Sequence, residues 1–326
     1  MKLRKIDSTL VNTYRFVIYN GCFEAKISDS LPEGLSLDKI EQGFQLQLSS
    51  NVVLKKPVMV TYVNEYDQAV DKKLNIKIKI EKNAQMELIE EYISHSNQAV
   101  NVKVDTEIHL EEEARLKHSK IILENDVSQH HANLSVVQEK RSEFKSLCLS
   151  LLALHSSHHV KVRLLEPKAS CALSGLYLGV DKNQVEQHML VEHLAQDTQS
   201  YSVFKGILND HSKAVFDGRI HVAKEAQRTD AKLKNKNILL SEEAELVTKP
   251  ELEILADDVK CAHGATVGHL DEATLFYLQS RGLAISKARQ VLLLAFVNDV
   301  IDGSATTALS EHLQQYCQFV LAGRHV

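Results

Sequence analysis

Two residues near the C-terminal end have the types and the spacing to do chemistry together. Cys261 and His263 stand at i and i+2 within KPELEILADDVKCAHGATVGHLDEATLFYLQSRG, the stretch from Lys249 to Gly282. Side chains alternate along an extended strand, so these two leave the same face, with Cα atoms roughly 6.5 Å apart. A thiolate beside an imidazole suits iron(II), zinc or a mixed Cys/His cluster, since histidine can replace cysteine on iron. Two donors do not close a metal site, so the remaining ligands would come from another chain or from solvent. The spacing also fits a buried thiol beside a satisfied histidine. A catalytic Cys/His dyad is a third reading, weakened because side chains at i and i+2 run parallel and do not converge.

Other chemistry-bearing residues read more plainly. His130, His131, His155, His158 and His159 have the composition of a metal tract, but the pattern around them predicts solvated turns between strands. His188 and His193 are oddly spaced and should face opposite ways. Lys249, Glu251 and Glu253 alternate outward as surface charge, with lining of an iron path as a secondary reading. Gly264 and Gly268 suggest tight turns or close approach of a partner backbone.

Composition narrows the function classes. The 326 residues are 44% hydrophobic and 25% charged, enough for a large core. The 38 basic and 43 acidic residues are intermixed, with a net charge of -5, which predicts no nucleic-acid partner. The longest apolar run, Val291 to Val297, is too short to span a bilayer, and the start MKLRKIDSTLVNTY lacks a signal-peptide core. Five scattered cysteines without a CxxC pair fit reduced thiols and a cytoplasmic location. Neither GxxxxGK[ST] nor GxGxxG is present, so the chain should not hydrolyse nucleotide by itself.

The elements that must position the pair are mostly strands. YRFVIYNGCFEAKISDS predicts a hairpin turning at Asn20-Gly21. Residues Leu31 to Asp67 are loop-rich, with a local helix near Ser36 to Gln42. From Val70 the alternation is strong: Leu74 to Ile80, Val100 to Leu110, Val160 to Leu164, Gln187 to Leu194, Ala214 to Val222 and Ala231 to Leu239. A polar turn followed by Ala recurs at Ala84, Ala114, Ala169, Ala214 and Ala244, with first and last intervals of 30 residues. Strands recurring without crossover helices predict a β-helix-type solenoid, with a large sandwich as the runner-up. Some eight or nine coils at about 4.8 Å each would make a rod roughly 40 Å long. After Gly268 the period changes. Asp271 is an N-cap, Leu270 and Leu275 a hydrophobic staple, and Gly282 a C-terminal stop for a first helix. Ser286 should cap a second helix that ends near Gly303, and a third runs from about Thr306 to Gly323.

FDGRIHVAKEAQRTDAKLKNKNILLS (Phe216 to Ser241), followed by Lys249 to Gly282, resembles the C-terminal signature of the SufB/SufD family, subunits of the SufBCD iron–sulfur cluster assembly complex. The wording KPELEILADDVKCAHGATVG and FYLQSRG is of the SufD type, and a looser likeness reaches back to YNGCFEAKISD. The resemblance implies a mainly β fold, a right-handed parallel β-helix with a small C-terminal helical domain. It divides the chain into a hairpin and loop-rich cap (1–69), a β-helix core (70–268) and an ATPase-docking helical domain (269–326). It implies a non-enzymatic scaffold that pairs with a SufB-like paralogue, or with itself when alone, and docks a SufC-like ABC ATPase. Cys261 and His263 align with the Cys and His implicated in cluster formation at the SufB–SufD interface. They would serve a transient iron–sulfur cluster or iron shared with SufB, with flavin a further candidate at the level of the complex. Asp271, Leu275, Phe276, Tyr277, Arg281, Leu292 and Phe296 would bind the ATPase. The sequence departs from the family in opening directly on the hairpin, without the helical N-terminal extension that members commonly carry. Two other readings stand beside it: a β-helix polysaccharide-processing enzyme, disfavoured by the absence of tryptophan, and a structural partner with an inert thiol.

Overall fold

Each coil of the chain is two strands and two corners, and the corners set the period. The computed structural model describes residues 12–24, 28–95, 97–304 and 307–323. Strands β1 (Tyr14–Tyr19) and β2 (Cys22–Phe23) form the expected hairpin, with Asn20 and Gly21 both at positive φ; its continuation through 25–27 lies outside the described residues. A second hairpin joins β3 (Leu35–Ile40) to β4 (Gly43–Leu48). There follow β5 (Val58–Asn64), β6 (Val70–Ile80), β7 (Gln85–Ser94), β8 (Val100–Leu110), β9 (Arg115–Leu123), β10 (Gln129–Gln138), β11 (Glu143–Leu152) and β12 (His155–Leu164). The series ends with β13 (Ser170–Gly179), β14 (Gln184–His193), β15 (Gln199–Leu208), β16 (Lys213–Val222), β17 (Thr229–Leu239), β18 (Glu245–Ile254) and β19 (Val259–Gly268).

Alternate strands belong to opposite sheets. The odd sheet runs β19-β17-β15-β13-β11-β9-β7-β5-β1-β2 and the even sheet β18-β16-β14-β12-β10-β8-β6-β4-β3. Among the described residues, only β1/β2 and β3/β4 pair antiparallel; every other ladder is parallel and joins strands one coil apart. This is the parallel β-helix with small C-terminal helices that the sequence implies. The helix expected near Ser36 to Gln42 is instead β3 and its turn. Leu35 faces the core, Phe44, Leu46 and Leu48 face it from β4, and Gly43 lies so close to the Asn75 carbonyl that no Cβ would fit. Burial on a period of two overrides local helix propensity here.

The corner from the even to the odd sheet repeats one device. Asn83, Glu113, Arg141, Lys168, Asp197 and Arg228 all have φ between 57° and 64°, the left-handed conformation that breaks a strand at the cost of Cβ crowding. Each passes its backbone N–H to the matching corner of the next coil, as Asn83 does to the Glu112 carbonyl at 3.1 Å and Glu113 to that of Lys140 at 2.9 Å. A small residue follows: Ala84, Ala114, Ser142, Ala169 and Thr198 are fully buried. The alanine repeat is therefore genuine at Ala84, Ala114 and Ala169, with Ser142 as the unseen intermediate. Ala214 is inside β16 and Ala244 is at the opposite corner, so the last two matches mixed two different positions.

Helices α1 (Glu272–Ser280), α2 (Ile285–Ser304) and α3 (Thr307–Gly323) close the chain. Asp271 caps α1 by accepting from the Thr274 N–H at 3.1 Å. Its other end is a Schellman motif: Gly282, at φ 91°, bonds the Gln279 carbonyl, and the Leu283 N–H bonds that of Leu278. Ser286 does not cap α2. The helix begins at Ile285, with the Ala288 N–H already bonded to the Ala284 carbonyl at 2.9 Å. The expected start of α3 at Thr306 lies outside the described residues. Both α2 and α3 pack over the outer side of the odd sheet: Leu293, Val297, Val300, Leu313 and Tyr316 share a buried cluster with Ile121, Leu147, Leu149, Leu176 and Leu178. Among the described residues no helix is long and apolar enough to cross a membrane.

Candidate metal and docking site at the last coil

Cys261 and His263 sit on β19, whose only ladder among the described residues is to β17, with Cys261 beside Ala231 and His263 beside Leu233. Ala231 and Leu233 are fully buried between the sheets. In-register parallel pairing keeps neighbouring side chains on one face, so the two donors point toward the mouth of the β-helix interior. Cys261 is half-buried and packs against the main core; His263 is exposed. Burial pushes the Cys261 thiol up, opposed by a hydrogen bond with the Ala231 backbone. At neutral pH it is therefore a protonated thiol that a metal or a partner's cation would have to deprotonate.

Below the mouth lies a polar plug. The Tyr177 hydroxyl donates to Asn237 Oδ1 at 2.5 Å, Asn237 Nδ2 donates to Asn235 Oδ1 at 2.6 Å, and Thr248 of β18 donates to the same oxygen at 2.9 Å. Both β18 and β19 are edge strands. Their open hydrogen-bonding edges carry exposed Val247, Ile254, Leu255 and Val267, a combination that soluble folds ordinarily cover or pair. Gly264 and Gly268 are extended strand residues with open space at the Cβ position, so neither makes the tight turn suggested by sequence. Lys249 and Glu251 form a surface ion pair at 2.7 Å on the outer side of β18, and Glu253 contacts His221 at 3.2 Å, so all three belong to the surface.

The helix residues singled out by sequence separate into two groups. Phe276 is 73% exposed and Tyr277 55%, with the Arg281 guanidinium 5.4 Å from the Tyr277 ring, and α1 buries none of its residues. Leu275 and Leu292 are half-buried, and the Asp271 carboxylate is engaged in its cap. Phe296 is tied to the odd sheet, where Lys205 Nζ lies 4.4 Å from its ring centroid and donates to its carbonyl and to Asp299 at 2.8 and 2.6 Å.

The histidine tract is not in turns. His130 and His131 are in β10, and His155, His158 and His159 in β12. His130 and His158 point inward and are fully buried, where desolvation pushes both imidazoles well below their usual range, so both are neutral. Burial likewise pushes Glu124 up to about 8, so its 3.5 Å approach to His130 is a neutral contact rather than an ion pair. As expected, His188 and His193 face opposite ways, outward and inward. Sequence reading missed the buried ion cluster beside them. Burial alone would raise the Glu90 carboxyl, but Lys120 and a 2.8 Å contact with His118 hold it well below the usual carboxylate range. Charged residues such as Glu90 and Glu91 in β7 and Lys120 in β9 look like surface positions until both sheets are placed.

Comparison with known proteins identifies the setting of this geometry. Residues 64–296, well over half of the chain, match the family model for the SUF system FeS cluster assembly, SufBD core domain. The chain is 33% identical over 208 residues to the iron-sulfur cluster assembly protein SufD of Escherichia coli, covering 63% of this chain and 49% of that one. It is 28% identical over 277 residues to an iron-sulfur cluster assembly SufBD family protein of Synechocystis, covering 82% and 61%. With the chloroplastic protein ABCI7 of Arabidopsis thaliana it shares 34% identity over 196 residues, covering 59% and 41%. The matched segments thus span about half the length of these relatives. With its parallel coils, its open last coil and this match, the chain belongs to the SufBD family of iron–sulfur cluster assembly proteins.

Proposed function

We propose that this chain is a non-catalytic scaffold subunit that works in the cytoplasm and pairs, through its last coil, with a second β-helix of the SufB type. The observation that carries the reading is the C-terminal coil itself. Two unpaired edge strands, an exposed apolar rim and an inward Cys261/His263 pair occur together there. Backbone pairing across β18 and β19 would satisfy the open edges and bury the rim. It would also bring a partner's donors to complete the shell that two ligands leave open. The metal or nascent cluster is cargo in this scheme, held at a shared boundary and released. Lowering of the Cys261 pKa by bound iron would supply the thiolate that the half-buried thiol lacks alone.

The exposed Phe276 and Tyr277 of α1, with Arg281 beside them, are the surface on which an ABC-type ATPase would dock. The Schellman turn after Arg281 joins that helix directly to α2, which packs on the odd sheet, so force on α1 would reach the β-helix through a short connection.

The decisive experiment co-expresses the chain with SufB-type and SufC-type partners, purifies the complex and follows anaerobic cluster formation from iron and sulfide. Cys261→Ala and His263→Ala should each reduce cluster yield while the complex still assembles. An unchanged yield in an intact complex would remove the metal role and leave a structural partner with an inert thiol, a reading the half-burial of Cys261 also supports. Phe276→Ala with Tyr277→Ala should release the ATPase and leave the β-helix pair intact.

A further inference from the structure

The outer side of the even sheet carries a second set of donors, on the interior strands β12 and β14 rather than on the edge strands β18 and β19. Parallel pairing stacks outward positions of successive coils, so His131, Ser157 and Glu186 share one level, and Asn133, His159, His188 and Asp217 the next. This stacking brings one ligand atom each of His159, Glu186 and His188 within 4.8 Å of the others. His188 Nε2 is 3.5 Å from Glu186 Oε2, and the His159 and His188 rings stack with centroids 4.2 Å apart. The other carboxylate oxygen, Glu186 Oε1, meets His155 Nε2 at 3.3 Å, and the His155 ring is met edge-on by His131 at 5.0 Å.

Charge pairing around this set follows a different rule. Lys161 is held by Glu192 at 3.1 Å and Arg219 by Glu251 at 2.7 Å, so these two neighbouring cations already have partners. Glu186, by contrast, is faced by imidazoles. His159 and His188 also line a surface groove of about 1030 Å³ that would admit solvent or a ligand to the site.

We propose that His159, Glu186 and His188 form an open binding site for a divalent first-row transition metal, with water completing the shell. Two imidazoles and one carboxylate favour iron(II), cobalt(II), nickel or zinc over magnesium or calcium, which prefer oxygen ligands. A tetrahedral shell with bonds of about 2.1 Å places donors about 3.4 Å apart. Side-chain rotation on the solvent side of the sheet closes the 4.8 Å spread to that value. His155 then holds the second carboxylate oxygen and fixes the orientation of Glu186, the usual office of a group just outside a metal shell. The site gives this scaffold a metal-holding position that does not depend on a partner chain.

The test uses the purified full chain with cobalt(II), read by its visible d–d absorption, and with zinc(II) by competition and calorimetry. One metal per chain should bind at this face. His159→Ala with His188→Ala should abolish it, and Glu186→Gln should weaken it by about tenfold to a hundredfold. Cys261→Ala with His263→Ala should leave it unchanged, which separates this site from the assembly reading. The substituted side chains lie on the solvent face, so far-UV circular dichroism should stay that of the parent. Binding that survives the double histidine variant, binding lost only with Cys261, or no cobalt absorption up to millimolar metal would each overturn the proposal.

Discussion

On the odd sheet the outward residues Ile121, Leu147, Leu149, Leu176 and Leu178 lie beneath α2 and α3, whereas on the even sheet the outward residues Asp105, Asn133, His159, His188 and Arg219 face solvent. The strands of the two sheets are of similar length and stack in the same parallel register, so backbone geometry does not distinguish the two faces. What differs is the cover. A face sealed by helices holds its residues by packing and can accept few polar groups, and those it accepts must be matched, as Lys205 is by Asp299 and Glu91 by Tyr316. The open face is released from packing, and its residues are free to form charge ladders or to gather ligands.

The contrast can be broken from its sealed side first. Leu293→Ala or Leu149→Ala empties a fully buried site between α2 and the odd sheet. Each should cost about 2–5 kcal/mol in urea unfolding; a loss below about 1 kcal/mol would mean that the helices are not firmly docked.

A second test uses pH and concerns the inner side of the even sheet. Burial pushes the His193 imidazole down to about 4, with its ring nitrogens 2.8 Å from Thr198 and 2.9 Å from Ser200. Between about pH 6.5 and 4 the unfolded chain takes up the proton and the folded chain does not, so stability should fall with falling pH by about 3 kcal/mol across that window. His193→Leu should remove that loss relative to the parent. Glu124, pushed up to about 8 by burial, works in the opposite direction. It keeps its proton in the fold and loses it in the unfolded chain, so its contribution is lost as pH rises from about 4.5 to about 8. Glu124→Gln should therefore flatten the decline between about pH 4.5 and 8.

Smaller effects follow. Tyr316→Phe removes the 2.6 Å hydrogen bond to the buried Glu91 carboxylate under α3 and should cost about 1–3 kcal/mol, seen as a lowered urea midpoint. On the open face, Lys79→Ala deletes a 2.9 Å ion pair with Glu111 and should shift stability by less than about 1 kcal/mol, with salt erasing most of the difference. A cost there equal to that of Leu293→Ala would end the distinction between the faces.

The same contrast explains what could be read in advance. Of the six alternating segments recognised from sequence, five lie in the even strands β6, β8, β12, β14 and β16, and the sixth in β17. Even strands bury one face only, so apolar and polar residues alternate, as in the burial of β8. Strands β7, β9 and β11 are buried on both faces over much of their length, and because buried positions there include Glu90, Glu91, His118, Lys120 and Ser146, apolar and polar residues show no clean period of two. β17 alternates because its outer face is largely uncovered. At the corners, Ala84, Ala114 and Ala169 were visible and Ser142 and Thr198 were not, because the position requires small size rather than alanine.

The sequence by itself determined the local rules: the alternation of the half-buried strands, the cap at Asp271, the stop at Gly282 and the shared face of Cys261 and His263 on one strand. These depend on residues at most a few positions apart. Only the tertiary structure decided that this face opens into the mouth of the β-helix, that α2 and α3 seal one sheet and leave the other bare, and that His159, Glu186 and His188 meet. His159 and His188 are 29 residues apart in the chain, and they are brought together by the parallel register of stacked coils, which no local pattern encodes.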